Sequence, residues 1–197
     1  NFCAIALHQG RTIVSRSMES IVQEAELITK QNGFKGYITD LGGPTANMYM
    51  TDCQKKIDYG SCQTKRCLYP NKCKTLKISH KKQMELLKKI RSLKNVKKVF
   101  VASGIRYDMI LEDHENGDKY LREIIRHHIS GQMKIAPEHT EDKVLDKMGK
   151  PGKSYLKEFK DKFYKINKEE DKKQFLTYYI IAAHPNCDEG DMRKLKD

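Results

Sequence analysis

Short apolar runs alternate along the chain with segments in which apolar residues recur every three or four positions, a pattern that predicts strands alternating with helices. The predicted strands are Gly36–Leu41, Val96–Ala102, Gln132–Ala136 and Phe175–Ala183. Strict alternation through short connections favours a parallel sheet, wound as a barrel or as part of one. Because four strands do not close an eight-strand barrel, we expect an α/β fold that is an open partial (βα) barrel with parallel strands.

Small polar residues precede the helical segments, where their side chains can accept hydrogen bonds from the first unpaired backbone N–H groups. The predicted helix caps are Ser17, Ser79, Asp118 and Thr140. A further helix is predicted over Ser154–Asn167, and Gly149 is predicted to end the helix before it. Each of these segments carries an apolar stripe that suits packing against a sheet.

Glycine, proline or ionisable residues follow every predicted strand, and the four strand ends read DLGG, SGIR, APEH and AHPN. The carboxyl ends of parallel strands meet at one edge, which is where ligands bind in α/β folds. Gly42 and Gly43 would let a backbone approach a ligand closely. The sequence therefore predicts a site at this edge. A tight turn without a ligand remains open, as does an ordinary salt bridge for Arg106 and Glu138.

Residues 45–77 have no clear periodicity and hold four cysteines, with the spacing C-x8-C-x4-C-x5-C: Cys53, Cys62, Cys67 and Cys73. We interpret the segment as a Cys-rich insertion within a single domain that spans 1–197. The segment has too few apolar residues to fold alone, so a bound metal could supply the free energy that orders it. Zinc, a second iron–sulfur cluster, free structural thiols and disulfides formed on purification all remain open.

The net charge of +12 favours a polyanionic partner electrostatically, although lysines on solvated helix faces are the preferred explanation of the charge. Only 8% of the residues are aromatic and no basic patch is interleaved with rings along the sequence, so a dedicated single-strand binder is not indicated. Six cysteines without an export signal point to a reducing, cytoplasmic compartment. No apolar run is long enough for a membrane span.

The chain begins at Asn1-Phe2-Cys3 without an initiator methionine and stops within a charged helical pattern. We therefore expect a fragment that is truncated at both ends.

DLGGPTANMY, at 40–49, resembles a signature of the YgiQ-like family of radical S-adenosylmethionine (SAM) enzymes. The segments Phe2–Ile5, Gln9–Arg11 and Ser15–Ser17 also match that family, as do SGIRYD, KIAPEH and IAAHP. The four-cysteine insertion matches as well. The resemblance covers essentially the whole chain and implies a radical SAM-like core.

The resemblance implies a [4Fe–4S] cluster held by three thiolates, with SAM bound at its open iron. The cluster would cleave SAM reductively to a 5′-deoxyadenosyl radical, which acts on an unknown substrate. The electron would come from a reductant of the flavodoxin or ferredoxin type. The basic charge mildly suggests a phosphorylated or RNA substrate.

The resemblance also implies roles for particular residues. Cys3 would be the third cluster ligand. Gly42 and Gly43, with Pro44 beside them, would meet the SAM amino group. The carboxylate and ribose would be held by Ser103 and Arg106, or by Glu138 and His139, and the adenine would lie against Ala182 and Ala183.

The chain departs from the family pattern because the first two cluster cysteines and the strand before them are absent. We therefore expect the chain alone to be apo and inactive. An alternative function is a basic nucleic-acid-binding module with zinc bound by the insertion. A third possibility is a metal-independent barrel fragment with no surviving activity.

Overall fold

The computed structural model describes residues 3–43, 45–51 and 53–196. Its strands are β1 (Tyr37–Ile38), β2 (Lys98–Val99), β3 (Gln132–Glu138) and β4 (Phe175–Ile180). Its helices are α1 (Ile5–His8), α2 (Met18–Thr29), α3 (Gln54–Tyr59), α4 (Lys81–Arg91), α5 (Tyr107–Glu112), α6 (Gly117–Glu123), α7 (Asp142–Met148), α8 (Lys153–Glu169) and α9 (Glu189–Lys196). A π-helical turn over Ile124–His128 continues α6.

The strands form two parallel pairs, β1 with β2 and β3 with β4. The segment after β2 connects the pairs, because Ile105 N donates to Lys134 O at 2.8 Å and Ile105 bridges to Ile135 in parallel. The neighbouring strands therefore follow chain order and run in one direction. This confirms a mixed α/β fold with parallel strands. The described residues form no closed barrel, and the open partial barrel remains a prediction.

The first two strands are shorter than the sequence predicts. Regular pairing covers only Tyr37–Ile38 and Lys98–Val99, although Leu41 N still donates to Phe100 O at 2.8 Å. Beyond that bond, the Asp40 carboxylate accepts from Ala102 N at 2.9 Å and so takes the place of a backbone partner. The predicted strands over Gly36–Leu41 and Val96–Ala102 are therefore wrong in length.

The other two strands differ from prediction at their carboxyl ends. β3 extends past Ala136 to Glu138, and β4 ends at Ile180 instead of Ala183. Ala183 has a φ of 56°, outside the extended region, so the strand cannot continue through it.

The helix ends test the predicted caps. Ser17 Oγ accepts from Ser20 N at 3.2 Å, which confirms that cap, and Gly149 ends α7 with a φ of 71°, as predicted. The other three predicted caps are wrong, because the residues before α4, α6 and α7 are His80, Asn116 and Glu141. None of the described helices combines the length and apolarity needed to cross a bilayer.

The core lies between the sheet and helices α4, α5, α6 and α8. Their inner faces supply large side chains that are less than 2% exposed, including Leu87, Ile90, Ile110, Tyr120, Phe159 and Phe163. Burying each such side chain contributes about 1.5–3 kcal/mol. The helices thus fix one face of the sheet, and the carboxyl ends of the strands lie at its edge.

Candidate functional site

The first two strand ends are tied together by polar side chains. Asp40 holds Ala102 N and also bonds to the hydroxyl of Ser103. Beyond the glycine pair, Ala46 N donates to Gly104 O at 3.0 Å. The loop after β1 therefore lies against the turn after β2, as the parallel order predicts.

The two glycines of this loop are not equivalent. A Cβ at Gly42 would lie 3.3 Å from the Cα of Ala46, so the protein's own packing explains that glycine. A Cβ at Gly43 would meet nothing closer than Thr45 O at 3.9 Å, and the residue is exposed. Gly43 therefore presents an open backbone at the edge. Pro44 lies outside the described residues.

A buried network of polar side chains is hydrogen-bonded to the turn after β2. The Asn47 amide donates to Arg106 O at 3.0 Å and accepts from Arg106 N at 2.8 Å. Its nitrogen also lies 3.1 Å from Nε2 of His80, whose Nδ1 lies 2.8 Å from Asp113 Oδ2. These bonds match the tautomer in which Nδ1 of His80 donates to Asp113 and Nε2 accepts from Asn47. Sequence reasoning missed this network, because its members are far apart in the chain.

The guanidinium of Arg106 faces Asp108. Its Nε and Nη2 donate to the two carboxylate oxygens at 2.9 and 2.7 Å. Burial alone would lower the pKa of Arg106, but the charge and hydrogen bonds of Asp108 raise it overall. The fork predicted to take a ligand carboxylate therefore holds Asp108 in this structure, which is the salt bridge that the sequence left open.

Glu138 lies at the end of β3 beside a buried lysine. Lys150 Nζ lies 3.5 Å from Glu138 Oε1 and donates to Ala136 O. Burial lowers the pKa of Lys150, and the nearby charge of Arg106 lowers it further. Glu138 also has a φ of 69°, which a non-glycine residue adopts only under constraint, and such residues cluster at functional sites.

The last strand end joins the same edge, and His139 is held by the segments that follow β3 and β4. Ile181 N donates to Glu138 O at 2.9 Å, so exposed Ala182 and Ala183 follow directly beside Glu138. His139 is fully buried, and its Nδ1 accepts from Glu141 N while its Nε2 lies 3.4 Å from Cys187 Sγ. The structure thus places Gly43, Ser103, Arg106 and Glu138 at strand ends along one edge, and it places His139 among other partners.

The cysteines of the insertion are only partly gathered. Cys53 and Cys73 both lie against the hydroxyl of Thr75, at 3.4 and 3.3 Å, and this hydrogen bond lowers the pKa of each thiol. The carbonyl of Cys62 accepts from Arg11 at 2.9 Å. Across residues 3–43, 45–51 and 53–196, no three His, Cys, Asp or Glu side chains lie close enough to hold a metal ion. Zinc or a second cluster in the insertion remains a prediction.

Comparison with known proteins gives homologues that are named UPF0313 proteins. The chain is 63% identical over 196 residues to a UPF0313 protein of Fusobacterium nucleatum, covering all of the chain and 34% of that protein. It is 50% identical over 187 residues to a UPF0313 protein of Clostridium perfringens, covering 95% of the chain and 28% of that protein.

A third relative, a UPF0313 protein of Clostridium botulinum, is 49% identical over 188 residues, which are 95% of the chain and 29% of that protein. The chain thus spans about a third of the length of the curated relatives it matches. No family model and no solved structure matches it. Over nearly its whole length, the chain is similar to one part of these longer UPF0313 proteins.

Proposed function

We propose that the whole protein is a radical SAM enzyme, and that SAM binds along the carboxyl edge of the sheet. The observation that carries the proposal is a largely buried charge cluster at the ends of the second and third strand segments. Its members are Arg106, Asp108, Glu138 and Lys150. Burying charges is costly, and such clusters with perturbed pKa values concentrate at functional sites.

SAM carries an ammonium, a carboxylate, a ribose and an adenine, and the edge offers a group suited to each. The exposed backbone at Gly43, which carries no side chain of its own, suits the ammonium. A ligand carboxylate would replace Asp108 at the guanidinium fork of Arg106. The carboxylate of Glu138 suits the hydroxyls of a ribose. Ala182 and Ala183 are small and exposed, so a flat ring can lie against them.

The described residues alone do not fit a [4Fe–4S] cluster. Such a cluster needs three thiolates with SAM at its fourth iron, whereas the described chain gathers no three metal-ligating side chains. Cys3 is exposed ahead of α1 and would supply one thiolate. In our proposal, the other two thiolates belong to a part of the whole protein outside this chain.

The proposal is tested with the whole protein, reconstituted with iron and sulfide without oxygen and reduced with dithionite in the presence of SAM. We expect release of 5′-deoxyadenosine and loss of that release in Cys3→Ala. Glu138→Gln should weaken SAM binding about tenfold, because it removes a charged hydrogen-bond acceptor. Glu85→Gln on α4 is the matched control and should bind SAM as the wild type does. A reconstituted protein that releases no 5′-deoxyadenosine would contradict the proposal.

A further inference from the structure

A second candidate site lies at the opposite, amino-terminal edge of the sheet. A cavity of about 550 Å³ opens there between the start of β2 and the turn that precedes β4. We call it the amino-edge cavity. Five of its lining residues are basic and one is acidic: Lys97, Lys98, Arg126, Lys172, Lys173 and Asp171. The sequence did not reveal this cluster, because three separate segments contribute to it.

The lysines of the amino-edge cavity carry uncompensated charge. Arg126 is neutralised by an ion pair with Glu170. Hydrogen bonds from Arg126 and Arg122 lower the pKa of Glu170 to about 2. In contrast, none of the ion pairs among the described residues includes any of the four lysines. Burial lowers the pKa of Lys98, and the charges of Lys172 and Arg91 lower it further. Four lysines lining one cavity with a single carboxylate, Asp171, favour an anionic ligand.

Aromatic rings lie beside these charges. Tyr37, which pairs with Lys98 in the sheet, is 52% exposed and lines the cavity. Phe100 lines it as well, and the ammonium of Lys98 lies 5.9 Å from the centre of its ring. Lysines beside accessible aromatic rings are the combination that binds the phosphate of a nucleotide and stacks its base.

The two sides of the cavity are held in place by the fold. Gln174 donates to Ile125 O at 3.0 Å and is paired with buried Asn167, which anchors the turn that carries Lys172 and Lys173. On the other side, Gly36 has a φ of 92°, and a Cβ there would lie 2.7 Å from Cγ of Lys97. Because Gly36 has no side chain, the aliphatic part of Lys97 can pack directly against its backbone at the edge of the cavity.

We propose that the amino-edge cavity binds a nucleotide, with its phosphate on Lys98, Lys172 and Lys173 and its base against Tyr37 and Phe100. The cavity volume lies within the range of about 300–1,000 Å³ that is usual for small-ligand pockets. Free nucleotides and a single strand of RNA present the same chemistry, and the experiment distinguishes them. The inference goes beyond the proposed SAM site and does not rest on it.

The test measures binding of a fluorescent single-stranded oligoribonucleotide to the whole protein between about 50 and 200 mM salt. Adenosine 5′-monophosphate and inorganic phosphate are the competitors. In Lys172→Glu/Lys173→Glu, we expect about tenfold weaker binding and a salt slope that is shallower by about 1.4, at roughly 0.7 for each lost phosphate contact. The control pair is Lys157→Glu/Lys160→Glu, which makes the same charge change on the exposed face of α8.

Tyr37→Ala should weaken binding of the oligonucleotide about tenfold, because stacking contributes about 1–3 kcal/mol per base. It should leave inhibition by inorganic phosphate unchanged. Displacement by adenosine 5′-monophosphate identifies a free nucleotide as the ligand, and binding of the strand alone identifies RNA. Equal weakening by both lysine pairs, or no binding of either probe by a folded wild type, would overturn the proposal.

Discussion

Gly117, at the start of α6, lies directly against the carbonyl of Ile110 in α5. A Cβ at Gly117 would stand 2.1 Å from Ile110 O, closer than any side-chain carbon can approach. This contact closes the turn between the two helices, and that turn contains Asp113, whose carboxylate holds His80. The close approach therefore supports the network behind the candidate site.

We predict that Gly117→Ala destabilises the protein by about 3 kcal/mol, because the backbone of α5 would have to move to make room for a methyl group. Gly131→Ala is the matched control, since a Cβ at Gly131 meets nothing within 4 Å and should have little effect. Urea unfolding of the two variants measures the difference. Equal stability would show that the α5–α6 turn relaxes freely.

The four strands and the longer helices between them could be predicted from the sequence, because the spacing of apolar residues is a local property, whereas the short helices α1, α3 and α5 were missed. Strand ends and helix caps could not, because partners distant in the chain decide them. Asp40 ends the β1–β2 pairing by taking Ala102 N. Asn116 precedes α6 because its own N–H is held by Asp113 at 3.0 Å. Thr140 follows a capping pattern, yet its buried hydroxyl has no partner among the described residues.

The amide of Asn47 binds the backbone of Arg106 on two sides, and replacing it leaves buried groups without partners. We predict that Asn47→Ala costs about 3 kcal/mol of stability, since Arg106 N and His80 Nε2 both lose hydrogen bonds. Asn71→Ala, at an exposed position of the insertion, should cost little. Chemical denaturation measures both. An unchanged unfolding midpoint in Asn47→Ala would show that water replaces the amide at no cost.

Asp113 should make the protein sensitive to acid. Burial alone would raise the pKa of Asp113, but hydrogen bonds from the side chain and backbone of His80 and from Asn116 lower it below 3.8 overall. A lowered carboxyl pKa contributes stability above the unfolded value, and that contribution is lost as the pH falls through the folded value.

We therefore predict that the stability of the wild type declines as the pH falls below 3.8, and that Asp113→Asn is less stable at neutral pH but declines less in acid. Asp161→Asn, exposed on α8, is the control. Unfolding midpoints across this range provide the measurement. If the unfolding midpoints of the wild type and Asp113→Asn fall in parallel with pH, Asp113 is not the source of the acid sensitivity.

The candidate site was only partly visible in the sequence. Gly43, Ser103, Arg106 and Glu138 were predicted because they follow strands, and the parallel order brings them together. The roles of Asn47, His80 and Lys150 could not be predicted, since each depends on a contact across the fold. The close packing of Gly42 against Ala46 could not be predicted either, because it depends on the folded backbone.

If SAM binds at the edge beside Gly43, a side chain placed there should block it, so binding of SAM to Gly43→Val is the sharpest test. The structure has room for a side chain at Gly43, so the variant should fold, but its side chain would occupy the space of the ligand. Gly131→Val, at the start of β3 and far along the strand from this edge, is the control. We predict that the reconstituted whole protein binds SAM, that Gly131→Val retains this binding and that Gly43→Val weakens it at least about tenfold. Wild-type affinity in a folded Gly43→Val protein would contradict the account.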